Sequence, residues 1–381
     1  MLTMNFYRRV LRPLLFKLDP ERCHDAAISA LELAPRIPLA RSILAMGHRF
    51  SDQRLETELC GIKLANPIGL AAGFDKSGRA IQSLAALGFG HIEIGSVSAE
   101  ASKGNPKPRL FRLVEDQAIL VHYGLPNDGA EIVAGRLAER RSPVPVGINI
   151  VTTNRGLGAP PDTDERIIED YLQSTRLLKD RGAYLALNLS CPNTAHGRDF
   201  FTVPGNTRLL LGEMEKLDVR VPVFLKVSAA GGVERIEALL REVEGLGIVS
   251  GFALNLTPAR PEGLVSPREV WDRPGAISGK PIEGMINGAI ADFFERMDRK
   301  RYRIIAAGGV FSAEDAYAKI RLGASLVQIL TALIYQGPRV VNAINRGLAR
   351  LLARDGFSNV AEAVGTLESQ KVTKGDKSKR F

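Results

Sequence analysis

The segment NLSCPNT, residues 188–194, places Asn188, Ser190, Cys191 and Asn193 directly behind the apolar run YLAL. Side-chain amides offer a donor and an acceptor together. A cysteine thiol, with a free pKa of about 8.5, can serve as base or nucleophile. Related residues recur behind other apolar runs. Asp75 and Lys76 follow GLAAGF, Ser96 ends HIEIGS, Asn149 lies in PVGINIV, and Lys226 lies in VPVFLKV. Asn255 and Thr257 lie in GFALNLT, Gly308 and Gly309 close RIIAAGG, and Gln328 and Thr331 lie in LVQILT. Singly, each has a plain structural explanation: an asparagine behind a strand is commonly a turn residue, and a free cysteine is commonly buried filler. Their recurrence at run after run, with two lysines among them, argues against coincidence and for one shared site. The stretch AAGGVFSAEDA, 306–316, adds a Gly-Gly turn and Ser312 ahead of an acidic helix start. Glycines let backbone N–H groups approach an anion and a helix N-terminus favours negative charge, so a phosphate is expected there; the alternative is an ordinary capped helix.

The elements that must position these residues follow from the apolar pattern. Eight strands are expected, at 67–73, 91–97, 145–151, 184–190, 221–227, 251–256, 303–309 and 326–330. They are rich in Ile, Leu and Val without alternation, as parallel strands buried on both faces are. Helical patterns lie between or after most of them, for example DERIIEDYLQSTRLLKDRG, VERIEALLREVEGLG and PRVVNAINRGLARLLARDG. Several close on glycine, the usual C-cap. Eight strand–helix units over this length fit a (β/α)8 barrel, whose active site lies at the C-terminal strand ends and whose phosphate site commonly follows strands seven and eight. A doubly wound open sheet is the runner-up. No GxGxxG opens a helix after the first strand, which removes support for a dinucleotide-binding Rossmann domain.

Composition is that of a soluble globular protein: 45% hydrophobic and 24% charged over 381 residues. No apolar run reaches the roughly 20 residues of a spanning helix. Neither a signal-peptide core nor its cleavage site is apparent. The cysteines Cys23, Cys60 and Cys191 form no disulfide framework, so a reducing compartment is expected. The net charge of +9 calls for an anionic partner, yet no zinc-finger spacing and no aromatic-basic motif supports nucleic acid, and no metal is expected. Part of the excess sits in the tail QKVTKGDKSKRF, with five basic residues and one acidic residue. Residues 1–50 are different in character. In NFYRRVLRPLLFKL, Phe6, Val10, Leu11, Leu14, Leu15 and Leu18 recur near a helical period among Arg8, Arg9, Arg12 and Lys17. Asp19 is placed to cap a second helix with Pro20 at its first position, and IPLARSILAMGHRF reads as a third. Apolar-faced helices with basic flanks can lie in a membrane interface; the bland alternative is that they pack on the main domain. Three regions result: a helical segment (1–50), to which the resemblance given next adds membrane and quinone association, a barrel (51–360) and a basic tail (361–381).

NPIGLAAGFDKSG, GNPKPRLFRL, NLSCPNT, SGKPI and IIAAGGVFSAEDAYAKIRLGASLVQILTALIYQGP together resemble the dihydroorotate dehydrogenase family, across residues 5–355. The N-terminal helices and KLDPERCHDAA resemble the membrane-associated, quinone-using class 2. The resemblance implies an FMN barrel oxidising dihydroorotate to orotate in pyrimidine biosynthesis, with electrons passed to a quinone. It implies FMN contacts at Ala72, Gly73, Ser96, Asn149, Lys226, Ser278, Gly279, Gly309, Leu330 and Thr331, and substrate contacts at Lys76, Asn188, Asn193 and Asn255. It implies peripheral attachment to the cytoplasmic face of a membrane, with a soluble cytoplasmic protein as the alternative. Cys191 falls where the family places its catalytic base; class 2 members normally have serine there and class 1 members cysteine. Other departures fall around the substrate. VHYGLPN replaces the family's N-R-M-G-F-N-N, so Val121 and Pro126 stand for asparagines and Leu125 for a phenylalanine. Leu254-Asn255-Leu256 replaces T-N-T. Losing hydrogen-bonding groups from a site built for a polar ring changes discrimination strongly. The alternative is therefore a paralogous FMN oxidoreductase acting on a less polar relative of dihydroorotate; a non-catalytic flavoprotein is a third reading, opposed by Lys76, Lys226 and the base.

Overall fold

The computed structural model describes residues 6–37, 50–140, 142–156, 158–190, 200–255 and 259–367. In chain order its strands are β1 (Thr57–Leu59), β2 (Ile62–Leu64), β3 (Ile68–Leu70), β4 (His91–Val97), β5 (Leu110–Leu113), β6 (Ala118–Val121), β7 (Val146–Ile150), β8 (Tyr184–Asn188), β9 (Val223–Ser228), β10 (Val249–Asn255), β11 (Ala276–Gly279), β12 (Arg303–Ala307) and β13 (Leu326–Ile329). Eight of them close a parallel barrel in the order β10-β12-β13-β3-β4-β7-β8-β9. These are the eight expected from the apolar runs, and the barrel displaces the open-sheet alternative.

Helices separate consecutive barrel strands because each carries one apolar stripe. Val340–Arg354 buries Val340, Val341, Ile344, Leu348 and Leu352, a spacing that lines one face of a 3.6-residue helix. Asn206–Glu215, between β8 and β9, fills a connection for which no helix was expected and buries Leu210, Leu211 and Met214.

Two further sheets complete the scaffold. The β1–β2 hairpin closes the N-terminal end of the barrel: Leu59 and Leu64 pack on Tyr184, Ala186, Phe224, Ala253, Ile305 and Leu326. At the other end, excursions after β4 and β10 meet in an antiparallel sheet, β11-β6-β5, which joins Ser278 opposite Ile119.

The N-terminal segment runs from a π-helical turn (Tyr7–Leu11) through Arg12–Leu15 to the helix Pro20–Leu33. As expected, Asp19 caps that helix, accepting from the Arg22 N–H at 2.8 Å. The Tyr7 hydroxyl donates to Ile334 O, Phe16 meets Tyr335 edge-on at 5.3 Å, and Arg109 pairs with Glu21 at 2.8 Å. The segment is thus docked on the barrel. Yet Phe6, Leu14 and Leu18 remain 54%, 58% and 59% exposed. The third expected helix lies mostly outside the described residues. At the other terminus, Val360 and Ala363 are buried and Leu367 N donates to Arg321 O, so the packed chain continues past residue 360; residues 368–381 lie outside the described set.

Candidate active site

A cleft enclosing about 1280 Å³, part of it open to solvent, lies at the C-terminal ends of the barrel strands. Ala72, Gly73, Lys76, Ser96, Asn188 and Lys226 border it from β3, β4, β8 and β9 and the loops behind them. Ser278 and Gly279 border it from β11, and Gly309, Leu330 and Thr331 from the segments that follow β12 and β13. Asn149 lies just beneath, fully buried. Cys191 and Asn193 lie outside the described residues, as do Leu256 and Thr257; Asn255 ends β10, with its side chain outside the description.

The floor of the cleft is a polar network inside the barrel. Lys226 Nζ lies 2.7 Å from Glu93 Oε1, with the two side chains 4% and 0% exposed. Asn149 Nδ2 donates to the same oxygen at 3.2 Å, while the Tyr184 hydroxyl and Gln328 Nε2 donate to Oε2 at 3.0 and 2.9 Å. Burial alone would push the Glu93 carboxyl up, but the Lys226 ammonium and these hydrogen bonds hold it below the usual range. From Asn149 the network continues upward: the Ser96 hydroxyl donates to Asn149 Oδ1, and Asn188 Nδ2 donates to Ser96 Oγ at 3.2 Å. Glycine makes room for it. A Cβ on Gly147 would sit 2.0 Å from the Tyr184 ring, and one on Gly69 would sit 2.1 Å from His91.

Lys76 lies on the other side. Its ammonium is 3.0 Å from His24 Nε2 and 4.2 Å from the Tyr123 ring centroid. Burial pulls Lys76 down to about 8, against the opposing charges of Asp25, Glu21 and Asp75. Burial and then Lys76 pull His24 down to about 3, so its ring is neutral and accepts. Val121, Leu125 and Pro126 line the same side, and Leu125 takes a left-handed φ of 61°. His122 turns to Asn105, 3.0 Å away. Toward the N-terminal helix the lining becomes apolar, with Phe74, Leu110, Ile119 and Ile334.

The anion site differs in detail from the expectation. The helix Ala313–Leu322 is closed by its own side chains: Ser312 and Asp315 form a capping box, and Asp315 accepts from the N–H groups of Phe311 and Ser312 at 2.8 and 3.0 Å. The N–H groups of Gly308 and Gly309 make no hydrogen bond among the described residues. The hydroxyls of Ser278 and Thr331, 2.9 Å apart, add polar groups beside them. A phosphate therefore fits at this glycine turn rather than on the capped helix.

Tyr123, beside the altered VHYGLPN positions, borders the cleft, whereas Glu93, Tyr184 and His24 were not picked out from the sequence. Glu93 left a signal there, a lone charge inside the apolar run HIEIGSV; His24 left none, because its contact spans 52 positions.

A parallel barrel with a buried lysine, a file of side-chain amides and a glycine turn whose N–H groups are unbonded among the described residues defines a barrel protein with a site suited to a phosphorylated ligand. The family model for dihydroorotate dehydrogenase matches residues 54–352. Two relatives, each called dihydroorotate dehydrogenase (quinone), come from Natronomonas pharaonis and a Roseiflexus species. The first is 40% identical over 95% of this chain and 99% of its own length; the second is 39% identical over 94% and 98%. The crystal structure of the Eimeria tenella dihydroorotate dehydrogenase in complex with ferulenol superposes with a TM-score of 0.79 at 28% identity, covering 91% of this chain and 95% of that one. The chain belongs to the dihydroorotate dehydrogenase family, and its cofactor is FMN. The residues present fit that group: the glycine turn suits its phosphate and Lys226 suits the electron-rich edge of its ring.

Proposed function

We propose that this protein oxidises dihydroorotate to orotate and delivers the electrons to a quinone, as a class 2-like member of its family. The observation that carries this reading is the cleft itself, where Lys226 and Lys76 border a single cavity from opposite sides. When bound, FMN supplies the hydride acceptor and the relay to the second substrate. Lys226 supports negative charge on the reduced ring, held in place by Glu93. Asn188 orients the substrate ring, and Lys76 meets its carboxylate. Cys191 is the base that removes the proton, joined at the substrate by Asn193 and Asn255. The apolar wing past Phe74 and Ile119 suits the quinone, and the exposed Phe6, Leu14 and Leu18 with their basic neighbours suit the cytoplasmic face of a membrane. Relatives matched over nearly the whole chain favour this reaction over the less polar substrate, so Val121, Leu125 and Pro126 are variations within one activity.

The test is anaerobic. The purified protein carries FMN, and addition of dihydroorotate is followed by flavin absorbance. Rapid bleaching is expected. Bleaching by dithionite but not by dihydroorotate would overturn the substrate.

A further inference from the structure

Glu93 sits at the centre of the barrel, where a carboxylate is costly unless fully partnered. Here it is fully partnered: each oxygen accepts two hydrogen bonds, Oε1 from Lys226 and Asn149, and Oε2 from Tyr184 and Gln328. The donors come from four different strands, so the barrel has to close before the carboxylate is satisfied. Two side chains of the cleft depend on this one carboxylate. Lys226 touches it directly. Asn188 is linked to it through Ser96 and Asn149, and every donor in that chain points the same way, from Asn188 down to Glu93. A neutral amide at position 93 would break this order, because its own N–H groups would face the N–H and O–H donors that now converge there.

We propose that Glu93 is a positioning residue for the redox site: its ion pair holds the Lys226 ammonium at the floor of the cleft, and it orients the substrate-side amide of Asn188 through Asn149 and Ser96. This rests on the reading of the cleft as the FMN and dihydroorotate site. Besides Arg303, which opens β12 and donates to the carbonyls of Arg299 and Tyr302, the other titratable groups on the strands around the pair are Tyr184 on β8 and His91 on β4. Burial holds both of these neutral, raising Tyr184 and pulling His91 down to about 4. β7, β10, β12 and β13 present Asn149, Ala253, Ile305 and Gln328 to the interior. Lys76 and His24 line the same cleft from outside the barrel. Glu93 is therefore the anionic partner of Lys226 among the described residues. Without it, the ammonium is buried with no counter-charge and burial favours the neutral amine.

The experiment measures the two-electron midpoint potential of the FMN-loaded enzyme between pH 6 and 9, for wild type, Glu93→Gln and the double variant Glu93→Gln/Lys226→Met. In Glu93→Gln the potential is expected to fall more steeply with pH than in wild type. One added proton per two electrons corresponds to about 30 mV per pH unit. The double variant lacks the amine at position 226 and keeps the other cleft groups, Lys76 included, as in wild type, so it is expected to return to the wild-type slope. Wild-type potentials and slope in Glu93→Gln would overturn the proposal, as would a steep slope that persists in the double variant. If Glu93→Gln does not fold or hold FMN, Glu93→Asp takes its place: the retracted carboxylate is expected to steepen the slope in the same direction, and an unchanged slope overturns the proposal. Bleaching of the wild type by dihydroorotate separates the two levels. If it fails, the functional reading fails; if it succeeds while the variants match wild type, only the role of Glu93 fails.

Discussion

The Lys76 ammonium lies 3.0 Å from the Nε2 of His24, a residue of the N-terminal helix Pro20–Leu33. The docked helical segment thus reaches into the substrate side of the cleft. Replacing His24 by Phe removes the acceptor and leaves a buried donor short of a partner, a loss of about 1–3 kcal/mol. The expected outcome is a rise of roughly tenfold in KM for dihydroorotate with a smaller change in kcat, read from steady-state kinetics.

Lys76 also sets a pH limit. Its proton is held below about pH 8 and lost as pH rises through that value. An anionic substrate needs the ammonium, so kcat/KM for dihydroorotate is expected to fall above pH 8. Lys76→Met should remove this limb and lower kcat/KM at neutral pH by roughly 10–150-fold, the equivalent of a charged hydrogen bond worth about 1.5–3 kcal/mol. A limb that survives in Lys76→Met would assign it to another group.

The Arg109–Glu21 pair ties the helix to the barrel, with both side chains under a tenth exposed. Arg109 also donates to the carbonyls of Lys103, Asn105 and Tyr123. Removing Glu21 leaves that guanidinium buried without its counter-ion, and breaking such a pair costs about 3–5 kcal/mol. Glu21→Gln should therefore lower Tm by several degrees at pH 7. Burial pushes the Glu21 carboxyl up, but Arg109 and Lys107 outweigh it and hold it below its ordinary 4.5. A carboxylate depressed in the folded state stabilises above its unfolded pKa and loses that contribution as pH falls. The Tm gap between wild type and variant is thus expected to narrow below about pH 4.5.

The exposed Leu14 and Leu18 bear on membrane contact. Burying a leucine contributes about 1.5–3 kcal/mol. Leu14→Ser/Leu18→Ser should weaken sedimentation with anionic vesicles by at least tenfold while leaving FMN content unchanged. Equal partitioning of variant and wild type would remove these residues from the interface.

Cys191 is expected to carry proton abstraction. Cys191→Ala should slow anaerobic flavin reduction by about 10²–10⁴-fold, the usual contribution of a general base, and Cys191→Ser should retain part of the rate. Unchanged reduction in both would reassign the base.

The amino-acid sequence by itself determined the barrel. The eight inner strands are local features, apolar runs punctuated by glycine and polar residues, and burial on both faces writes itself into a run without reference to any partner. It also set which residues stand at the strand ends, so Lys76, Ser96, Asn188 and Lys226 could be named as one group. The β11-β6-β5 sheet was not legible, because its edges join segments on either side of four barrel strands and only register pairs Ile277 with Leu120. Neither was the choice of anion site: Ser312 reads as a phosphate cradle until Asp315 is seen to fill it. The partners of buried charges are the clearest case. Glu93 and Lys226 are 133 positions apart. Each is visible in its own strand, but closure of the barrel decides that one neutralises the other, because a charge in that interior can persist only where a complementary group from another strand is brought within hydrogen-bond reach.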